Sequence, residues 1–273
     1  MHTKVQSFIE TYGLFQDDTI QQIQLQHRFS LVEAFAIQPG MTVLEIGCGQ
    51  GDTTVALADA VGPNGHVIAL DVADGDYGAP FTLAQAHERI QTSSIGDRID
   101  FHLNTDFLDW VPPVHIDAIV LSHCSWYFQD AALLAAYFHK MNTLTKRICF
   151  AEWSMQIDDI SQRGHFHAVS ILALYSAFIE NDGNIQHVFS ASQIEQFARD
   201  AHFTLRERKS VDAHYLQDGE WEKAYANELV SDFTKAPHAI QALVSTYAEA
   251  MNQDDNTFSL NSVVLLFERE ADV

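Results

Sequence analysis

The chain has 273 residues, 47% of them apolar, enough to fill the core of one large domain or of a domain with an appended cap. Its formal net charge is −22, from 37 acidic against 15 basic residues, and such a surface repels phosphate backbones and anionic lipid heads. This sets aside nucleic acids and membrane surfaces as partners. No run reaches the roughly 18 consecutive apolar residues of a membrane span. The N-terminus lacks the basic and apolar regions of a signal peptide. Cys48, Cys124 and Cys149 are scattered and form no CxxC pair, so neither a disulfide framework nor a zinc ribbon is expected, and a reducing cytoplasm fits.

In chain order, residues 18–36 read as a helix: Ile20, Ile23, Leu31, Ala34 and Phe35 share one face, and Pro39-Gly40 ends it. A regular alternation follows. Strands are predicted over 42–46, 66–70, 99–103, 116–121 and 147–153, with helices over 53–61, 81–92 and 131–141 between them. Strand and helix alternating over about 25–30 residues predict βαβ units and a mostly parallel sheet with helices on both faces. Beyond residue 153 the rhythm breaks. Ile171, Leu174, Tyr175, Phe178 and Ile179 mark an apolar helix face. Further helices are predicted over 190–201, from Trp221 to Phe233 and from Pro237 to Met251, with strands over 203–211 and 258–267. The expected fold class is therefore α/β: a doubly wound, mostly parallel, seven-stranded sheet with N-terminal helices and helical cap insertions.

The first strand runs into Glu45-Ile46-Gly47-Cys48-Gly49-Gln50-Gly51-Asp52. The glycines let the backbone turn sharply and approach a ligand, and the helix that follows points free N–H groups at the same spot. A dinucleotide fingerprint needs a third glycine at position 52, where Asp52 would repel a pyrophosphate; a P-loop needs a lysine that is absent. The pattern E-x-G-x-G-x-G, with Gly47, Cys48, Gly49 and Gly51 in the loop, resembles motif I of the Rossmann-like (class I) S-adenosylmethionine (AdoMet) methyltransferases. Glu45 would supply negative charge to a ligand that carries an ammonium and a sulfonium.

Two acidic stations follow in order. Asp71, with Val72 beside it, closes the second strand about 20 positions on, where a carboxylate can take both hydrogen bonds of a ribose diol. NAD proteins share that station. Asp106 follows the third strand, and the family resemblance implies that it accepts the adenine amino group while the N–H of Phe107 meets a ring nitrogen. The fourth strand continues into Asp117–Phe128, which is similar to the family's motif IV, with Trp126-Tyr127 where small-molecule members often carry a histidine pair. The resemblance puts Ser122 and His123 near the sulfonium. His123 is the first candidate for a general base and Glu152, at the end of the fifth strand, the second; for either residue a structural role is the alternative. Trp126 and Tyr127 line the acceptor pocket or belong to the core under the next helix.

The resemblance, spanning about residues 40–130, implies a methyltransferase of the ubiquinone/menaquinone-biosynthesis style. Its cofactor would be S-adenosyl-L-methionine, its product S-adenosyl-L-homocysteine, and its partner a small-molecule acceptor. A binding-only regulatory protein and an NAD-dependent oxidoreductase are the alternatives. The expected organisation is one domain over 1–273: an N-terminal helical segment (1–38), an AdoMet-binding core (40–154), and cap insertions (155–189 and 217–256). Phe166, Tyr175 and Phe178 are expected to line an apolar acceptor pocket under the cap, with Phe8, Tyr12 and Phe15 closing its other side. No metal is expected, since His165-x-His167, the one close histidine pair, does not share a helix face.

Overall fold

The computed structural model describes residues 2–253 and 257–269, so the expected cap boundary at 256 and the chain ends of the 1–273 domain lie outside the described residues. The elements in order are α1 (His2–Tyr12), α2 (Thr19–Phe35), β1 (Thr42–Ile46), α3 (Asp52–Val61), β2 (His66–Leu70), α4 (Leu83–Gln91), β3 (Ile99–His102), β4 (Ala118–Ser122), α5 (Ala131–Leu144), β5 (Arg147–Trp153), α6 (Arg163–Phe178), α7 (Ala191–Asp200), β6 (Phe203–Val211), α8 (Asp218–Leu229), α9 (His238–Met251) and β7 (Ser262–Arg269). One seven-stranded sheet has the order β3-β2-β1-β4-β5-β7-β6. β1 to β5 pair in parallel and β7 runs antiparallel to both its neighbours. This is the Rossmann-like methyltransferase fold that the sequence predicts.

The central strands are buried on both faces, which is why they read as continuous apolar runs. Leu44, Ile46, Ile119, Leu121, Ile148 and Phe150 pack with α5, α6 and α7 on one side. Val43, Val67, Val120 and Cys149 pack with α1, α2 and α3 on the other. Side chains alternate along a strand, so Glu45 faces the same layer as Val43, toward α2 and α3. Helix starts are set by local chemistry: Asp18 and Asp130 cap α2 and α5, and Thr82 and Ser190 build capping boxes for α4 and α7. The strand order reverses between β1 and β4, and the crevice beyond their carboxyl ends is where such sheets bind ligands.

Three expectations differ from the structure. The last strand begins at Ser262, not 258, because the preceding residues are held by side chains: Gln162 Nε2 donates to the Ser259 carbonyl (3.0 Å), and His165 Nδ1 accepts from the Leu260 N–H (2.8 Å). α6 starts at Arg163 and buries His165, Ala168, Val169, Ile171 and Leu172, leaving Leu174 and Tyr175 half-buried and Phe178 exposed. Its buried face includes a histidine and Gly164, which sits against Thr257, so apolar periodicity alone misplaces that face. In the N-terminal segment Phe8 is buried against Phe29 (ring centroids 5.5 Å apart), and Tyr12 meets Asp59 and Arg98. These two contacts hold α1 against α2 and α3; of the three aromatics, Phe15 reaches a cavity at the crevice.

Candidate active site

The loop after β1 is folded by its own backbone and by β2. Gly47 and Cys48 donate N–H groups to the Leu70 carbonyl (2.9 and 3.1 Å), and Gly51 N donates to Cys48 O (3.0 Å). Gly47 has φ +76°, and a Cβ there would lie 2.6 Å from Cys124 Cβ, so no side chain fits. At Gly49 an added Cβ meets nothing within 4 Å, so the backbone there faces open space. Asp71 Oδ2 accepts from Gly49 N (2.8 Å) and Oδ1 from Ala73 N (2.9 Å), with lone pairs left for a diol. His87 Nε2 meets the Gly49 carbonyl at 2.7 Å; burial lowers its pKa, so a neutral ring donates that bond. Burial pushes the Cys48 thiol up, which leaves it an unreactive loop residue.

Glu45 lies beneath this loop and is 1% exposed. Its carboxyl accepts from Thr54 Oγ1 (2.5 Å), and burial raises its pKa from the usual range to about 8, against the lowering effects of Thr54 and Arg28. At neutral pH it is mostly protonated. The charge compensation expected of Glu45 is therefore reduced, and its contact ties β1 to the first turn of α3.

Beyond β2 and β3 a cavity of about 480 Å³ is lined by Val72, Asn104, Thr105, Asp106, Asp109 and Trp110. Asp106 Oδ1 accepts from Leu108 N (2.8 Å) and Tyr137 Oη (3.1 Å). The Phe107 ring is buried against Tyr137 (ring centroids 5.0 Å apart), and its backbone also meets the Tyr137 hydroxyl.

At the ends of β4 and β5 the polar groups are largely committed to one another. His123 adopts φ +52°, a sparsely populated conformation for a non-glycine residue. Its Nε2 lies 3.0 Å from Ser262 Oγ, and Ser262 Oγ lies 3.0 Å from His27 Nε2. A hydroxyl has one proton, so Ser262 donates to one ring and accepts from the other. His123 Nδ1 is 3.3 Å from Glu152 Oε1 without hydrogen-bond alignment. Glu152 Oε2 accepts from Ser125 N (3.1 Å) and Ser125 Oγ (2.7 Å). Trp153 packs on His123 (4.4 Å), His27 (6.1 Å) and His165 (5.4 Å). Burial holds His27 well below its ordinary pKa, aided by Arg28 and His123. Ser122 Oγ and Trp126 Nε1 are buried and lack partners among the described residues, and the latter two aromatics divide: Trp126 is 3% exposed and Tyr127 51%.

The cap docks on this network. His165 Nδ1 already accepts from Leu260 N, so its Nε2 donates to Glu222 on α8 (2.8 Å). Phe166 lies against His167 (5.6 Å) and Tyr175 against Phe233 (5.4 Å), while Phe178 is 38% exposed. A second cavity, about 640 Å³, opens where Phe15, Asp18, Ile20 and Gln21 face Gln50, Asp52, Phe81 and Trp221. Sequence reasoning finds the loop and the acidic strand ends but not Ser262, His27 or Glu222, whose partners lie 139, 235 and 57 residues away. Among the described residues no three His, Cys, Asp or Glu side chains are grouped to hold a metal, and no helix is long and apolar enough to cross a membrane.

The residues of this site fit the expected cofactor: an open glycine cradle, a diol acceptor in Asp71, and Asp106 lining a cavity beyond β3. A family model described as "Methyltransferase domain" matches residues 43–147. The crystal structure of a cyclopropane-fatty-acyl-phospholipid synthase-like protein from Lactobacillus casei ATCC 334 is 35% identical, with a TM-score of 0.89 over 98% of this chain and 100% of that one. Methyltransferase phomM of Diaporthe leptostromiformis is 28% identical over 159 residues, 50% of this chain and 41% of that protein. A demethylmenaquinone methyltransferase of Lysinibacillus sphaericus is 26% identical over 111 residues, 41% of this chain and 47% of that protein. The chain thus spans less than half the length of these two curated relatives. A match along the whole of a 35%-identical relative, a methyltransferase-domain model over the loop and its acidic stations, and the sheet order together place the chain in one family: it belongs to the class I S-adenosylmethionine-dependent methyltransferases.

Proposed function

We propose that this methyltransferase transfers the methyl group of S-adenosyl-L-methionine to a small, largely apolar acceptor by in-line displacement. The observation that carries this reading is the convergence of the glycine cradle, Asp71 and the Asp106–Phe107 pair on one crevice at the switch point of the sheet. Gly47, Cys48, Gly49 and Gly51 hold the amino-acid end and Glu45, through Thr54, keeps the cradle in place. Asp71 with Val72 takes the ribose, and Asp106 with the Phe107 N–H takes the adenine. Ser122 and His123 border the reacting end, where the orphaned Ser122 hydroxyl has a bond to give.

The cofactor supplies an already activated methyl group, so the residues contribute chiefly position and exclusion of water. In this reading His123 and Glu152 are positioning residues. Their bonds to Ser262 and Ser125 fix the 122–127 loop. Tyr127 and Phe178 are exposed, Tyr175 and Phe166 are half-buried on α6, and in this reading all four line the acceptor side. The cap insertions, 155–189 and 217–256, would close over the acceptor. The descriptions of two relatives name molecules with long apolar chains, a fatty-acyl phospholipid and demethylmenaquinone, and an apolar lining suits such chains.

Calorimetric titration with AdoMet, S-adenosyl-L-homocysteine and NAD tests the donor. Binding of the first two and not of NAD is expected; binding of NAD without AdoMet would overturn the reading. Mass-spectrometric detection of a methylated product from unsaturated acyl lipids, isoprenoid quinols or small phenols tests the acceptor class. Turnover confined to strongly charged acceptors would exclude it.

A further inference from the structure

On α2, Gln21, Gln24 and Arg28 are spaced by three and four residues and share one face. Gln21 lines the cavity that opens beside Gln50 and Asp52. Gln24 is buried and donates from Nε2 to Asp218, at the start of α8 (2.8 Å). Its Oε1 in turn accepts from Arg28 Nη2 (3.3 Å). The Nε and Nη1 atoms of Arg28 are shielded from solvent and meet no hydrogen-bond acceptor among the described residues. Between them these atoms carry three of the five N–H donors of the guanidinium. A desolvated guanidinium with most donors unmet is costly until an anion completes it.

Its position says which anion. Glu45 points from β1 into the layer formed by α2 and α3, and α3 begins at Asp52, directly after the glycine cradle. The field of Arg28 reaches both Glu45 and Asp52, opposing the effect of burial on each carboxyl. The adjacent His27 bonds Ser262, which also meets His123, so this turn of α2 lies at the carboxyl ends of β4 and β5, with the guanidinium near the start of α3. Gln24 holds it on α2 and links it to Asp218 of the cap.

We propose that Arg28 is a cofactor-binding residue that receives the α-carboxylate of S-adenosyl-L-methionine through its unpaired Nε and Nη1 hydrogens. The proposal rests on the AdoMet reading given above. The same carboxylate chemistry could come from an anionic acceptor, and the experiment separates the two sources. Wild type, Arg28→Ala and Arg28→Gln are titrated calorimetrically with AdoMet, S-adenosyl-L-homocysteine and decarboxylated AdoMet, which keeps the ammonium, the sulfonium and the nucleoside. Wild type should favour AdoMet over the decarboxylated ligand by about 10- to 100-fold, the value of a charge-assisted bond. Both variants should lose about that factor for AdoMet and S-adenosyl-L-homocysteine and little for the decarboxylated ligand, so that the preference collapses. Equal affinity of wild type for AdoMet and its decarboxylated form would overturn the proposal without any variant, even if both variants failed to fold. Variants that weaken every ligand alike would also overturn it, as would variants that keep full AdoMet affinity but show a raised KM for an anionic acceptor. Wild type that binds neither AdoMet nor S-adenosyl-L-homocysteine would overturn the AdoMet reading itself, a result distinct from all of these.

Discussion

Along β1, β2, β4 and β5 nearly every side chain is buried and most are aliphatic, aromatic or sulfur-bearing. In α6, α8 and α9 the buried positions include His165, Gly164 and Glu222, while Phe178, Trp221, Tyr225 and Leu243 stay partly in solvent. The sheet is held by area removed from water, and the cap by a few directional bonds that a sheet core does not need. A region held by area has one arrangement. A region held by a few bonds, with apolar surface left over, has room to receive a guest. The donor crevice belongs to the first region and the proposed acceptor pocket to the second.

The sharpest way to break this contrast is at His165. His165→Leu would leave Glu222 buried without its donor and cost about 3–5 kcal/mol. Thermal unfolding should register the loss, and hydrogen exchange should place it in α6 and α8, with β1 to β5 still protected. Equal loosening of the central strands would erase the distinction. Next in size is Gly47→Ala, where left-handed backbone and the Cys124 contact together cost about 2–4 kcal/mol. Here cofactor affinity should fall at least about a hundredfold by calorimetry, with the cap unaffected.

Glu45 gives a pH-dependent version of the same test. Its folded-state pKa lies above the unfolded value, so the native state holds a proton that the unfolded chain releases. Stability from this group is complete below the unfolded carboxyl range and is lost as pH rises toward about 8. Between about pH 6 and pH 8 the loss is about 2 kcal/mol. Glu45→Gln should flatten that part of the stability profile in denaturant titrations, and an unchanged slope would mean that Glu45 is ionised beneath the loop. The smallest effect is expected at Phe178. Phe178→Ala should shift stability by less than about 1 kcal/mol while raising acceptor KM and leaving AdoMet affinity unchanged. If acceptor KM does not move, Phe178 lies outside the pocket.

The same contrast explains what the sequence discloses. β1, β2, β5 and β6 begin and end where their residue patterns predict, and the strand-end residues Asp71 and Asp106 can be located by counting along the chain. Those features are local: an apolar run, a glycine, an acid at a fixed distance. The start of α6 is not legible, because the face it buries carries His165 and Gly164 in place of aliphatic residues. The bonds that make this helix a cap join residues far apart in the chain. Arg28 is likewise silent, since an arginine among glutamines on a helix reads as a solvated position until the fold covers it. The contact of His123 with Ser262 is hidden for a related reason: the partner arrives from the opposite half of the sequence.

That last contact also bears on how the molecule forms. Ser262 opens β7 and lies opposite Trp153 in the pairing with β5, across more than a hundred residues of intervening chain. The βαβ core can assemble from neighbours in sequence, with Glu152 already holding Ser125, but the His123 ring acquires its partner only when this long-range closure is made. Contacts of such high sequence separation form late and limit folding rates. Until β7 docks, β5 is an edge strand that exposes apolar side chains to other molecules. The last contact of the 122–127 loop thus forms in the same event that covers this edge, so that completing the loop and finishing the sheet are one step of folding.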